Sequence, residues 1–193
     1  MTSAEAVVQY YSKEDLSGEE IKILTRKEPV IYSDLAKYKS VQQLLGKENY
    51  CVIMYQTSSR TTGHFVALYM RYDGVLCFAD SYGIRVDTEQ QYGASYDDKI
   101  PKYLSNLIEK SGLPYEENKV DYQSKSSRIS TCGRFASFFC IFGRDLQFRE
   151  IQDFLTTNQD SFLKPDNIVT MLTLFPLREI RQYYDKFKPH SRR

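Results

Sequence analysis

The chain has 193 residues, with 26 Lys and Arg against 25 Asp and Glu, and a formal net charge of +1. Hydrophobic residues at 41% and charged residues at 26% are typical of one folded globular domain and exclude a disordered or fibrous protein. The balanced charge provides no strong field for nucleic acid or anionic membranes. We expect a single domain over 1–193, in which 186–193 forms a loose tail.

The N-terminal part of the chain predicts two short helices and a strand. Ser17 and Glu20 form a capping-box pattern that begins a helix, and Pro29 ends it. Residues 41–46 resemble a second helical turn. The apolar run 50–55 has the β-favouring residues of a buried strand, and a polar loop over 57–63 follows.

A β-hairpin is predicted next, with strands over 64–71 and 75–79. The Asp73-Gly74 pair between the two strands is a strong signal for a tight turn. Because a hairpin reverses the chain, His64 before the first strand and Asp80 after the second should lie at the same end of the pair. The hairpin thus brings together two residues that are sixteen positions apart in the chain.

The middle of the chain predicts a loop, a helix and a short strand. The polar segment 84–99 reads as a surface loop, and apolar residues at helical spacing from Tyr103 predict an amphipathic helix that Gly112 closes. Residues 119–123 suit a short strand. The following loop over 124–131 ends in hydroxyl residues suited to cap a helix.

The C-terminal part predicts three helices. The first begins near Cys132, is apolar on nearly all sides and ends at Gly143, so it should run through the protein centre. Apolar residues over 148–155 and 168–174 predict two further helices, and Pro165 and Pro176 mark helix boundaries. A central, packed helix would hold its first residue in a fixed position.

The four cysteines are not spaced as a zinc site, so we expect no metal and no cofactor. Cys51, Cys77 and Cys140 lie within apolar runs and read as core residues. The N-terminus has no basic flank followed by an apolar segment, and no stretch is long enough to cross a bilayer. These features predict an intracellular, reducing environment with free thiols and no membrane partner.

Cys132 and His64 are candidates for a nucleophile and its base. The positive end of a helix dipole stabilises a thiolate at Cys132, and Gly133 next to it leaves room for an incoming carbonyl. His64 begins a strand, so its ring can face a cleft and take the thiol proton. Taken singly, the cysteine is more often a core residue and the histidine a structural one.

Two further side chains complete the candidate site. Asp80 can orient the imidazole, although an Asp before Ser-Tyr-Gly is also an ordinary turn former. Gln123 has an amide that can donate, with the Cys132 N–H, to an oxyanion, or it is simply a polar strand end. The second histidine, His190, lies in a basic tail without an apolar scaffold, which leaves His64 as the catalytic candidate.

Four segments in this order resemble the adenovirus-type (clan CE) cysteine proteases, over roughly residues 16–143. They are Gly63 to Leu68, Phe78 to Gly83, Tyr122-Gln123 and Thr131 to Phe135. The order His, Asp, Gln, Cys-Gly is typical of that clan and opposite to that of papain. Within it the chain resembles the maturation proteases of virophages (Mavirus-like) and of polinton-type elements, and 16–21 and 41–45 add to the likeness.

The resemblance implies a fold, a set of roles and a function. The fold is α+β and adenain-like: a mostly antiparallel central sheet packs against a central helix that carries the catalytic Cys, with flanking helices. The roles are nucleophile for Cys132, general base for His64, orienting partner for Asp80 and oxyanion donor for Gln123. The function is a thiol endopeptidase that cleaves viral capsid and other virion precursors during particle maturation, through a thioester acyl-enzyme.

The same resemblance sets expectations for partners and alternatives. The substrates would be the viral major capsid protein and other virion precursors, and the enzyme would be a monomer in the virion and in the host-cell cytoplasm, at the virus factory. Some relatives need a DNA or peptide activator, and the near-neutral charge argues against DNA. The alternatives are an isopeptidase of the deubiquitinase or deSUMOylase type, an acyltransferase of the same clan, and a binding protein without catalysis.

The sequence departs from the family pattern at two places. Phe65 stands where many relatives carry Trp, which would change the packing over the imidazole. Gln123 and Cys132 are nine positions apart, a wider spacing than in the cellular and adenoviral branches. A bulged loop would accommodate the difference, or Ser126 or Ser127 would replace Gln123 as the oxyanion donor.

Overall fold

A computed structural model of the chain describes residues 3–59, 62–88, 102–126, 128–157 and 161–174. It confirms the α+β class: one five-stranded sheet is covered by helices on both faces. The helices are α1 (Ser3–Tyr11), α2 (Gly18–Thr25), α3 (Val41–Leu45), α4 (Tyr103–Ser111), α5 (Cys132–Phe142), α6 (Phe148–Thr156) and α7 (165–174), with a 3-10 turn over Tyr32–Lys37.

The strands are β1 (Val30–Ile31), β2 (Tyr50–Ser59), β3 (Thr62–Met70), β4 (Leu76–Ala79) and β5 (Tyr115–Glu117), and they lie in chain order across the sheet. The sheet is mixed rather than mostly antiparallel. The pairs β2–β3 and β3–β4 are antiparallel, whereas β1–β2 and β4–β5 are parallel. The parallel edges arise because helical connections, rather than tight turns, lead into β2 and β5.

Alternation along the central strands creates two cores. On β3, Ala67 and Tyr69 pack towards α5, while Val66 and Leu68 pack towards α3 and α4. This is the period of two that a strand buried on both faces requires. Helix α5 lies on the first face with Gly133 to Cys140 buried, which confirms the predicted central helix.

Several predicted elements occur where the sequence placed them. Ser17 caps α2 in a capping box with Glu20, and Gly112 ends α4 in the left-handed conformation. The hairpin turn is also confirmed, with Gly74 at φ 86°. The predicted loop over 84–99 is described only to residue 88, and the predicted tail over 186–193 lies outside the described residues.

Two of the predicted segments differ in the structure. The predicted loop over 57–63 is wrong for its described residues, 57–59 and 62–63, because β2 and β3 continue to pair beyond the core, with Gln56 opposite Gly63 and Ser59 opposite Thr62. A Cβ on Gly63 would lie 2.0 Å from the Tyr55 carbonyl oxygen, so this close approach requires glycine.

Residues 119–123 do not form a strand either. The amides of Tyr122 and Gln123 both donate to the Ser81 carbonyl, at 2.8 and 3.0 Å. The segment therefore packs on the turn that follows β4, and the strand beside β4 is the earlier β5.

Candidate active site

The hairpin brings the predicted base and its partner into direct contact. His64 lies at the start of β3 and Asp80 directly after β4, and His64 Nε2 is 2.9 Å from Asp80 Oδ2. The Asp80 side chain is fully buried and the His64 side chain is 13% exposed. A buried carboxylate bonded to one ring nitrogen fixes the tautomer and the orientation of an imidazole.

Asp80 is itself held rigidly by its neighbours. The buried Asn118 accepts from the Asp80 amide at 2.8 Å and donates to the Asp80 carbonyl at 2.7 Å. The Tyr82 amide donates to Asp80 Oδ1 at 2.6 Å, while Oδ2 faces His64. Both carboxylate oxygens thus have partners, as a buried charge requires.

The turn after Asp80 depends on Gly83. This residue has φ 67°, and a Cβ there would lie 2.8 Å from the Lys119 carbonyl carbon. Only glycine combines this conformation with this approach of two backbones. The turn and the segment 118–123 are therefore pressed together, which places Gln123 beside Ser81 and Tyr82.

Gln123 is oriented by the two residues that follow Asp80. Ser81 Oγ donates to Gln123 Oε1 at 2.8 Å, and Gln123 Nε2 donates to the Tyr82 hydroxyl at 2.9 Å. The Tyr82 ring also stacks on the His64 ring, with centroids 5.2 Å apart and planes at 26°. One tripeptide, 80–82, thus supports both the candidate base and the candidate oxyanion donor.

Cys132 is the first residue of α5 and is partly exposed. Burial first, and the negative charge of a Cys132 thiolate second, raise the pKa of Tyr82, whose ring stacks on His64, to about 12. A Cβ on Gly133 would lie 3.5 Å from Phe65 Cδ2. The residues next to the candidate nucleophile and the candidate base therefore meet.

The other three cysteines are buried, as predicted. Burial raises the pKa of Cys51 and of Cys77 to about 12, and it raises the pKa of Cys140 well above the usual range. A buried neutral thiol is a poor nucleophile. Cys132 is therefore the cysteine that reagents in solvent can reach.

A buried arginine supports the helix that carries Cys132. Arg134 is 2% exposed, and its guanidinium donates to the Thr173 hydroxyl at 2.9 Å and to the Tyr11 carbonyl at 3.1 Å. Burial lowers the pKa of Arg134 to about 10. The side chain links the end of α1 and the last described turn of α7 to the first turn of α5.

The hydroxyl predicted to cap α5 has a different role. Thr131 occupies the N-cap position, but its side chain makes no cap hydrogen bond and donates instead to the buried Asp166. The prediction of a hydroxyl cap is therefore wrong at this position, because Thr131 has φ −109° and ψ 4° instead of the extended backbone conformation that lets an N-cap side chain accept from the helix amides.

The structure thus brings His64, Asp80 and Gln123 into one hydrogen-bonded group with Tyr82. Cys132 begins α5, whose second residue, Gly133, lies against Phe65, the neighbour of His64. Sequence reasoning missed Ser81, Tyr82, Asn118 and Asp166 as parts of this region. Ser81 and Tyr82 lie in the Asp-Ser-Tyr-Gly sequence, which is part of the family resemblance and could have identified them as site residues. Within the described residues no cluster of His, Cys, Asp and Glu is suited to a metal ion. His190 lies outside the described residues.

No helix in the described part of the chain has the length and apolarity to cross a membrane. No family model matches the sequence. In solved structures, the chain is similar to the central domain of the uncharacterized Lpg1148 protein from Legionella pneumophila, with a TM-score of 0.42 and 14% identity over 88% of this chain and 99% of that one.

The sequence is also similar to a curated protein of viral origin, "Uncharacterized protein V9" of Sputnik virophage. The two are 31% identical over 177 residues, which cover 86% of this chain and 98% of the virophage protein. Near-complete coverage of the relative at this identity indicates a shared fold along the whole alignment and a viral context. The chain belongs to the family of the Sputnik virophage protein V9.

Proposed function

We propose that this protein is a cysteine endopeptidase with an adenain-like fold, which cleaves capsid and other virion precursor proteins during particle maturation. The observation that carries the proposal is the buried Asp80 carboxylate 2.9 Å from His64 Nε2. A carboxylate-oriented imidazole and a partly exposed thiol at a helix N-terminus are the groups that an activated cysteine nucleophile requires.

In the first half of the reaction, His64 takes the proton of the Cys132 thiol, and the sulfur attacks the carbonyl carbon of the scissile bond. Because Nε2 is bonded to Asp80, the proposal assigns Nδ1 to the thiol proton. Asp80 stabilises the imidazolium that forms. The Cys132 backbone N–H and the Gln123 amide donate to the oxyanion.

Collapse of this intermediate breaks the C–N bond and leaves an acyl group on the sulfur. The imidazolium gives its proton to the departing amine, and His64 then removes a proton from a water that attacks the thioester. Release of the acid product restores the thiol. Tyr82 supports both halves, since it stacks on His64 and accepts from Gln123.

The virophage relative supports a viral substrate. A protein of Sputnik virophage aligns with this chain over 98% of its own length, which favours a role within a viral life cycle. We accordingly place the enzyme in the virion and in the host-cell cytoplasm where particles assemble. The major capsid protein encoded with this chain is the substrate to test first.

The test is co-expression of this chain with the full-length major capsid protein of the same genome, followed by intact-mass analysis. The wild-type chain should yield a shortened capsid protein, whereas Cys132→Ala should leave the precursor uncut. Cys140→Ala serves as the matched control, because it removes a buried thiol from the same helix and should retain cleavage. Cleavage by Cys132→Ala would remove the assignment.

Two other readouts separate this proposal from other chemistry of the clan. Rapid labelling of Cys132 by a ubiquitin-like vinyl sulfone would indicate an isopeptidase. A capsid protein that gains the mass of an acetyl group without loss of chain would indicate an acyltransferase. Either result would replace the endopeptidase proposal.

A further inference from the structure

The wide spacing between Gln123 and Cys132 has a structural counterpart in α7. Eight residues, 124–131, connect the two, and the structure describes all of them except residue 127. Asp166, in the first turn of α7, accepts from the Ser124 amide through Oδ2 at 3.0 Å and from the Thr131 hydroxyl through Oδ1. One carboxylate therefore holds both ends of the connecting loop.

The positions of the two bonds matter because of their neighbours. Ser124 directly follows Gln123, and Thr131 directly precedes Cys132. The two oxygens of a carboxylate share one carbon, so their donors must lie close together. The loop is thereby closed at its base, and the candidate oxyanion donor is fixed relative to the candidate nucleophile whatever path the loop takes.

The site around Asp166 is built rather than incidental. Asp166 is 7% exposed, and burial raises the pKa of its carboxyl. The Thr131 hydroxyl bonds to this carboxylate in place of a helix cap, as described above. Burial of a carboxylate with both oxygens hydrogen-bonded costs less folding free energy than burial of an unpaired one, but the penalty is not removed.

We propose that Asp166 is a positioning residue of the active site, which closes the 124–131 loop so that Gln123 and the Cys132 amide form one oxyanion-binding site. This inference rests on the proposed function, and it assigns a role to the C-terminal third, which the family resemblance does not cover. It also explains how a nine-residue spacing is compatible with the same chemistry.

The first test measures loop closure and requires no activity. Amide hydrogen exchange at Ser124 should accelerate by at least about tenfold in Asp166→Ala, because the amide loses its acceptor. Asp87→Ala is the matched control, since Asp87 is 6% exposed and likewise accepts from hydroxyls, those of Tyr32 and Tyr55, and from a backbone amide, that of Ser105. Unchanged exchange in Asp166→Ala, or equal acceleration in both variants, would overturn the proposal.

Asp87→Ala is not a milder change than Asp166→Ala. Asp87 has φ 59°, a conformation in which alanine is strained, so the control costs the fold at least as much. A loss of activity confined to Asp166→Ala would therefore not reflect general destabilisation.

The second test is a double-mutant cycle on hydrolysis. Asp166→Ala should lower kcat about 10²-fold with little change in KM, as expected when an oxyanion donor is misplaced. If Asp166 acts through Gln123, the same change should have almost no effect in a Gln123→Ala background. If the losses in kcat from Asp166→Ala and Gln123→Ala multiply in the double variant, the proposal is overturned.

Alkylation of Cys132 by iodoacetamide separates the two proposals, because that reaction forms no oxyanion. Asp166→Ala should alkylate at the wild-type rate, and a rate that falls in parallel with hydrolysis would overturn the positioning role. If the wild-type chain alkylates rapidly but hydrolyses no precursor, the proposed function fails, and the Ser124 exchange rate still decides whether Asp166 closes the loop.

Discussion

Replacement of Asp80 by asparagine tests the central pair most directly. In Asp80→Asn the amide oxygen can still accept from the Tyr82 N–H, and Asn118 still holds the backbone of residue 80. The amide nitrogen then faces His64 and donates to Nε2. The ring must accordingly carry its proton on Nδ1, where the proposed mechanism requires an acceptor.

The size of the effect follows from this inverted tautomer. The geometry is conserved but the base is presented in the wrong form, so we expect kcat to fall by about 10³ to 10⁴-fold, which corresponds to a barrier increase of about 4 to 5.5 kcal/mol. Asp80→Ala should cost a similar factor and should also destabilise the fold, because the Tyr82 amide loses its acceptor.

The assay is the rate of precursor cleavage, with iodoacetamide alkylation of Cys132 at pH 6 as a second measurement. Both rates should fall in Asp80→Asn, and neither should fall in Asp87→Asn, a matched change at another buried acid. Cleavage within tenfold of wild type, or alkylation at the wild-type rate, would refute the tautomer argument and leave Asp80 as a structural turn residue.

Four further outcomes are expected. Cys132→Ala should unfold at the same temperature as wild type and show no cleavage, since its partly exposed side chain contributes little to the core; calorimetry and intact mass check this. Tyr82→Phe should lower kcat about tenfold with an unchanged KM, because the ring still stacks on His64 while Gln123 Nε2 loses its acceptor; a change in KM alone would contradict it. The free energy of unfolding should decrease as pH rises from about 10 to about 12, because burial raises the pKa of Tyr82 and Tyr122 to about 12 and the protonated forms are the ones the fold accommodates. Tyr122→Phe should reduce that alkaline loss and leave stability at pH 7 unchanged or higher, since the Tyr122 hydroxyl has no hydrogen-bond partner among the described residues; urea unfolding across this pH range measures both.

Local signals in the sequence were sufficient for most elements of the fold. The capping box at Ser17, the Asp73-Gly74 turn and the apolar run from Phe135 to Phe142 each depend on residues within a few positions of one another. Helix α1 was not predicted, because Val8 is its one buried residue and the segment has no apolar stripe. The hairpin turn alone was enough to predict the contact of His64 with Asp80.

Contacts between distant segments could not be predicted in this way. The segment 119–123 has the composition of a strand, but its amides bond to Ser81, about forty positions earlier. Thr131 has the residue type of a cap, but a carboxylate from α7 takes its hydroxyl. Asn118 and Asp166 carry no motif, and their roles depend on backbone groups that only the folded chain brings near them.

The anchoring of α1 by Arg134 has a practical consequence for anyone who trims the N-terminus. Removal of residues 1–11 would take away the carbonyl that receives one guanidinium N–H of Arg134, a buried cation two positions from the candidate nucleophile. Such a shortened chain would lose the proposed activity through a defect far from the deletion in sequence, and this loss would say nothing about whether the first helix contacts a substrate.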